Sequence, residues 1–118
     1  MPAFGRDKML KSEEIYNTAG YIRSLTKLDT PGANIAAGKA VYAANCAVCH
    51  GNEGKGNREL GAPNLTDGIW LYGSSTEAII ETINTGRGGV MPSWASRLDD
   101  VTIKALTVYV HSLGGGER

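Results

Sequence analysis

Apolar side chains along this chain recur at helical spacing, while the two-residue alternation of a strand is scarce. Residues 12 to 28 carry Ile15, Ala19, Ile22 and Leu25 on one stripe, which predicts an amphipathic helix. Residues 33 to 47 space Ile35, Lys39, Tyr42 and Cys46 for helical faces, and Gly38 admits close approach of another helix. A third helix is predicted over 75 to 85, with Ile79, Ile80 and Ile83 on its buried side, Ser74-x-x-Glu77 as capping box and Gly86 as stop. A fourth runs over 99 to 113, opened by Asp99 or Asp100 and closed by Gly114 to Gly116. Its stripe is Ile103, Leu106, Val110 and Leu113, and Tyr109 is expected to meet Tyr42 where this helix crosses the one over 33 to 47. The pattern is that of an all-α chain joined by irregular loops.

Composition narrows the picture. With 118 residues, 42% hydrophobic and 20% charged, one compact core is expected. Twelve basic residues balance twelve acidic ones, so no strong field favours nucleic acid or an anionic membrane surface. No apolar run approaches the roughly 20 residues of a membrane-spanning helix, and the first 20 residues lack a secretory apolar region, so a soluble chain without a leader is expected. Sixteen glycines accompany one phenylalanine and two tryptophans, a supply of large side chains so thin that packing around something else is expected.

The stretch NCAVCHG, residues 45 to 51, holds both cysteines and one of two histidines. Cys46, Cys49 and His50 form C-x-x-C-H, the spacing of c-type haem attachment. Two thiols on one helical turn can each add across a haem vinyl group, and the next residue can raise its imidazole to the fifth position on iron. The rival readings are weaker. A thioredoxin-like disulfide expects a preceding strand and a βαβ setting. Structural zinc needs about four ligands, and the chain offers two cysteines and two histidines.

For the sixth position the candidates are Met1, Met9, Met91 and His111. Met91 is preferred, because it lies in the glycine-rich loop GRGGVMPSW, whose backbone can approach a flat cofactor. His/Met ligation raises the potential of the iron, which suits an electron carrier. The loop over 51 to 74 is long and rich in Gly, Asn and Pro, as expected of a segment that wraps the haem. Within it the Pro63 carbonyl is expected to accept a hydrogen bond from the free ring nitrogen of His50, and Leu65 to cover the porphyrin. Trp70, Tyr72, Arg87 and Trp94 are candidate donors to the haem propionates.

The two ends of the chain repeat each other. LKSEEIYNTAGYIRSL, residues 10 to 25, lies over LDDVTIKALTVYVHSL, residues 98 to 113, pairing Leu10 with Leu98, Ile15 with Ile103, Tyr21 with Tyr109, Ser24 with Ser112 and Leu25 with Leu113. Just upstream, Met1-Pro2-Ala3-Phe4 resembles Met91-Pro92-Ser93-Trp94. Residues 1 to 30 therefore read as the tail and terminal helix of a preceding haem domain, and 31 to 118 as a haem domain of its own. The apolar stripe of residues 12 to 28 must find cover, either on this domain or by exchange with a second copy in a segment-swapped homo-oligomer.

AAGKAVYAANCAVCHG, GKGNRELGAPNLTDGIWLYG, INTGRGGVMPSW and ALTVYVHSLGGG resemble the second haem domain of the di-haem cytochrome c subunit of cbb-type cytochrome c oxidases, and MPAFGRDKML and GYIRSL resemble the tail of its first. The resemblance implies a class I cytochrome c fold, all-α, with one covalent haem c on Cys46 and Cys49 and His50 and Met91 as axial ligands. It also implies a periplasmic, non-enzymatic relay that takes electrons from soluble cytochromes and passes them to oxidase subunits. The family's amino-terminal anchor and first haem motif are not among these 118 residues, so anchoring and haem-to-haem transfer are not carried over. A truncated product, an excised domain or a short standalone relative is expected. The alternative function is a gas-binding module in which Met91 gives way to a diatomic ligand; a peroxidase would need a distal acid or base that is not seen.

Overall fold

The computed structural model describes residues 1–115, which form five helices and no strand; Gly116 of the expected helix stop lies outside them. The helices are α1 (Ser12–Ser24), α2 (Ile35–Asn45), α3 (Ala47–His50), α4 (Thr76–Thr85) and α5 (Asp100–Ser112). They fall in two compact units, residues 1–88 and residues 89–118.

The first unit is built on α1. Glu14 accepts from the Lys11 backbone N–H (2.7 Å) at its entry, and Ile15, Ala19 and Ile22 enter a core with Phe4, Tyr42, Ile79 and Ile83. α1 packs on both α2 and α4. Where it crosses α2, the backbones nearly touch: a Cβ placed on Gly38 would lie 1.9 Å from the Asn17 carbonyl oxygen. Beside this crossing the buried Asn17 side chain accepts from the Asn34 N–H (2.9 Å), while Asn34 caps α2 by accepting from Ala37 N–H (3.0 Å). One asparagine pair thus joins the flank of α1 to the start of α2. At the end of α1, Arg23 donates to the Asp29 carbonyl, the Thr30 hydroxyl and the Ser74 carbonyl, tying the helix to the segment before α4.

Two local expectations need correction. α4 is capped by Ser75, whose hydroxyl accepts from Ala78 N–H (3.1 Å), and Ser74 instead gives its carbonyl to Arg23. Tyr42 takes Tyr21 as its ring partner, with centroids 5.2 Å apart and planes tilted by 59°. Tyr109 is 60% exposed. The residue that meets Tyr42 is therefore the one the repeat pairs with Tyr109.

In the second unit, Asp99 caps α5 by accepting from Thr102 N–H (2.7 Å), which lowers the carboxyl pKa. The helix forms where periodicity placed it, yet none of its residues is buried; Leu106, Val110 and Leu113 stand exposed. Trp94 lies under the guanidinium of Arg97, 5.1 Å from ring centroid to Cζ.

The Tyr42 hydroxyl donates to the Gly51 carbonyl (2.8 Å), linking α2 to the end of the cysteine motif. Burial first, and then charge at Cys46 and Tyr21, pushes its pKa from 10.0 up to about 12. The folded chain holds this proton more tightly than the unfolded one, so the stabilisation is complete below pH 10 and is lost as pH rises through about 12. Tyr42→Phe is expected to cost about 1 kcal/mol at neutral pH, from the lost hydrogen bond, and to lose less stability over that alkaline interval than the parent chain. Urea unfolding across this range checks both signs.

Candidate haem site

Cys46 ends α2 with φ −110° and ψ −35°, so the helix expected to run through residue 47 is broken there and α3 carries Cys49 and His50 on a separate turn. Both cysteines are free thiols, Cys46 buried and Cys49 partly so. Burial, reinforced by charge at Cys49, pushes the Cys46 thiol from 9.0 up to about 11, so at neutral pH it is a protonated, apolar group. Addition of a thiol across a vinyl group moves the S–H hydrogen to carbon and needs no oxidant, which is the chemistry that two reduced thiols support. Among the described residues no three His, Cys, Asp or Glu side chains converge as a metal cage.

His50 is oriented by backbone. Its Nδ1 lies 3.0 Å from the Pro63 carbonyl oxygen, which makes Nδ1 the protonated nitrogen and leaves the Nε2 lone pair for a metal. The loop that delivers Pro63 is clamped to the motif: Gly56 N–H donates to the His50 carbonyl (2.8 Å), Leu65 N–H to the Gly54 carbonyl (2.6 Å), and Asn57 pairs with Ala62 in an isolated antiparallel bridge. Gly56 has φ +83°, and a Cβ there would meet the Ala62 oxygen at 2.6 Å and the Pro63 carbonyl carbon at 2.8 Å. Gly56→Ala therefore pushes Pro63 away from His50. The expected cost is about 2 kcal/mol of stability from the left-handed conformation alone. A weaker acceptor at Nδ1 makes the imidazole a poorer electron donor, so the haem-loaded variant is expected to show a raised reduction potential in a redox titration.

The other named positions are distributed as follows. Leu65 and Trp70 are partly buried against the core of the first unit. Arg87 stacks on Tyr72, with Cζ 4.4 Å from the ring centroid, and its Nε points to the Thr82 hydroxyl at 3.4 Å. Met91 and Trp94 belong to the second unit, where Met91 is 82% exposed. The structure thus brings Cys46, Cys49, His50, Pro63, Leu65, Trp70, Tyr72 and Arg87 into one unit. Gly56 was not singled out from sequence; its signal is visible only once the loop is closed.

The donors present fit a covalently held haem: two reduced thiols on successive turns, and an imidazole whose outer nitrogen is already engaged by backbone. Helices without strands among the described residues, carrying C-x-x-C-H at a helix junction, define a c-type cytochrome of class I fold. Residues 33–110 match the family model described as cytochrome c oxidase, cbb3-type, subunit III, and the chain belongs to that family. Over 118 residues it is 59% identical to the cbb3-type cytochrome c oxidase subunit FixP of Bradyrhizobium diazoefficiens, covering 99% of this chain and 41% of that protein. Over 121 residues it is 51% identical to subunit CcoP of Azospirillum brasilense, covering 99% and 41%. Over 117 residues it is 47% identical to CcoP of Cereibacter sphaeroides, covering 99% and 40%. The chain thus spans about two fifths of the length of these relatives. The family implies covalent haem c. No helix among the described residues is long and apolar enough to cross a membrane.

Proposed function

We propose that this chain carries single electrons through one haem c, held by Cys46 and Cys49 and ligated by His50 and Met91. The observation that carries the reading is the His50–Pro63 contact at 3.0 Å, which presents one nitrogen of the motif histidine and occupies the other. When bound, the haem supplies a reversible one-electron change at iron. The protein's part is to keep that change fast and reversible. Cys46 and Cys49 would tether the haem, the Pro63 carbonyl would retain the Nδ1 proton in both oxidation states, and Leu65 would exclude water. Trp70, Tyr72, Arg87 and Trp94 would donate to the propionates, lowering the cost of burying their charge. No side chain here is assigned to bond-making chemistry, so the role is a relay rather than catalysis.

The relatives' names place them in cbb3-type oxidases. By that likeness the chain receives electrons from a soluble cytochrome in the periplasm and passes them to the oxidase. Residues 1 to 30 are the tail of a preceding haem domain, and exchange of residues 12 to 28 between two copies gives a segment-swapped oligomer, detectable by a doubled mass in solution scattering. The reading is tested by the visible spectrum of the reduced, haem-loaded chain with and without carbon monoxide. An unchanged six-coordinate low-spin spectrum is expected. Rapid formation of an adduct overturns a fixed thioether ligand and makes the chain a gas-binding module.

A further inference from the structure

One carbonyl at the end of the cysteine motif accepts two donors. Gly51, which directly follows His50, takes the Tyr42 hydroxyl at 2.8 Å and the Gly54 N–H at 3.1 Å. Tyr42 is 1% exposed, so no bulk water stands ready to replace the phenol if it is lost. The turn from Gly51 to Gly54 is therefore held by α2 as well as by its own bond.

That turn supports the segment that orients the imidazole. The Gly54 carbonyl accepts from the Leu65 N–H at 2.6 Å, and the carbonyl of Pro63, two residues before Leu65, lies 3.0 Å from His50 Nδ1. Directly after Pro63, Asn64 Oδ1 accepts from the Thr66 N–H (2.8 Å) and from the Thr66 hydroxyl (2.6 Å), which locks residues 64 to 66 in one turn. The loop thus has two anchors: Gly56 N–H on the His50 carbonyl (2.8 Å) holds its start, and Leu65 on Gly54 holds its end. Gly54 is buried with φ +73°, and a Cβ there would lie 3.0 Å from Leu25 Cδ1 and 3.5 Å from the Tyr42 hydroxyl oxygen. Leu25, which caps α1, and Tyr42 on α2 press on the same α-carbon. A displacement of Gly54 reaches Pro63 through one hydrogen bond and a stiff turn.

We propose that Tyr42 is a positioning residue for His50: its hydroxyl, through Gly51, Gly54 and Leu65, holds the Pro63 carbonyl against Nδ1 and so sets how strongly the imidazole donates to iron. The proposal rests on the reading of His50 as an axial ligand, and it assigns control of that ligand to a side chain on a different helix. A carbonyl that accepts from Nδ1–H gives the imidazole anionic character, which favours ferric iron. Loss of the tyrosine hydroxyl loosens that contact and shifts the balance toward ferrous iron.

The test uses the whole haem-loaded chain as parent, Tyr42→Phe, Leu25→Ala and Ile15→Val. Phenylalanine keeps the ring and removes only the donor, alanine withdraws Leu25 from Gly54, and valine removes a methylene from the same core at a residue outside this series of bonds. Two readouts are followed: the reduction potential, and solvent exchange of the His50 Nδ1–H and the Leu65 N–H, read by NMR of the reduced protein. Tyr42→Phe is expected to raise the potential and to speed both exchanges roughly fivefold, the factor that one neutral hydrogen bond supplies. Leu25→Ala is expected to move both readouts the same way, and Ile15→Val to lower the melting temperature alone. In the parent, which needs no variant, the two protons are expected to exchange through one opening with the same denaturant dependence. If Tyr42→Phe loses stability as Ile15→Val does, with potential and Nδ1–H exchange unmoved, Tyr42 only packs and the proposal is overturned with His50 ligation intact. Unequal denaturant dependence of the two protons in the parent overturns it as well. His50 ring protons that lack the large upfield shift of a histidine bound beneath a haem would remove the axial reading, and the proposal with it.

Discussion

With both thiols replaced, Cys46→Ser and Cys49→Ser, the chain is expected to give up all of its haem to acid and organic solvent, while the parent retains it through denaturation. The reason is covalent. Axial bonds from His50 and a methionine persist only while the fold holds those groups in place, whereas thioethers survive unfolding. Either single replacement leaves one thioether and is expected to retain haem with an altered spectrum, because one vinyl group stays conjugated with the ring. The two sites are not equivalent in their surroundings: Cys46 is buried at the α2–α3 junction and Cys49 is partly exposed. Serine at 46 therefore also places a hydroxyl among Tyr42, Ala47 and Ile83 of the core, costing about 1–3 kcal/mol if it finds no partner. Haem staining of denatured protein, with thermal melts alongside, separates the covalent effect from the packing effect. Haem retained by the double variant would remove the thiols from the site.

The second large effect is expected from a single methyl group. Gly38→Ala gains about 1 kcal/mol of helix propensity within α2. Against this, the new Cβ would sit 1.9 Å from the Asn17 carbonyl oxygen and 2.5 Å from its carbon. Both are backbone atoms of α1, so no side chain can swing aside; α1 as a whole must retreat by more than an ångström. That retreat loosens the Tyr21–Tyr42 pair and the Asn17–Asn34 bond. A net loss of about 2–3 kcal/mol is expected, or roughly 10 °C in melting temperature. Gly68→Ala is the control, since nothing lies within 4 Å of a Cβ there. If Gly38→Ala melts with the control, α1 does not occupy this crossing.

Much of this was legible in order along the chain. The four long helices lie close to where 3.6-residue spacing put them, because which face of a helix is apolar is a local property. Gly86 stops α4 as expected, with φ +70°, and Gly38 proves to be the close-approach point it was read as. Neighbouring hydroxyls gave the wrong cap: Ser74 and Ser75 suit the role equally, and only the pull of Arg23 on the Ser74 carbonyl separates them. Leu65 is partly buried against the core of the first unit.

By itself the sequence determined the chemistry and its parts: the C-x-x-C-H spacing of Cys46, Cys49 and His50, which is that of haem attachment, and the helices that carry it. Tertiary structure alone decided what the apolar stripe of α1 packs against, namely α2 and α4. The stripe of Ile15, Ala19 and Ile22 does not name its partner when read as a pattern, since an apolar stripe states only that a helix must be covered. The choice falls to contacts that no local window contains: Asn17 reaching Asn34, Arg23 reaching Ser74, and Arg6 reaching Asn84. Each joins residues far apart in the chain, Asn17 and Arg23 through their side chains and Arg6 through its backbone N–H. The apolar stripe makes α1 need cover, and these polar tethers fix where it finds it.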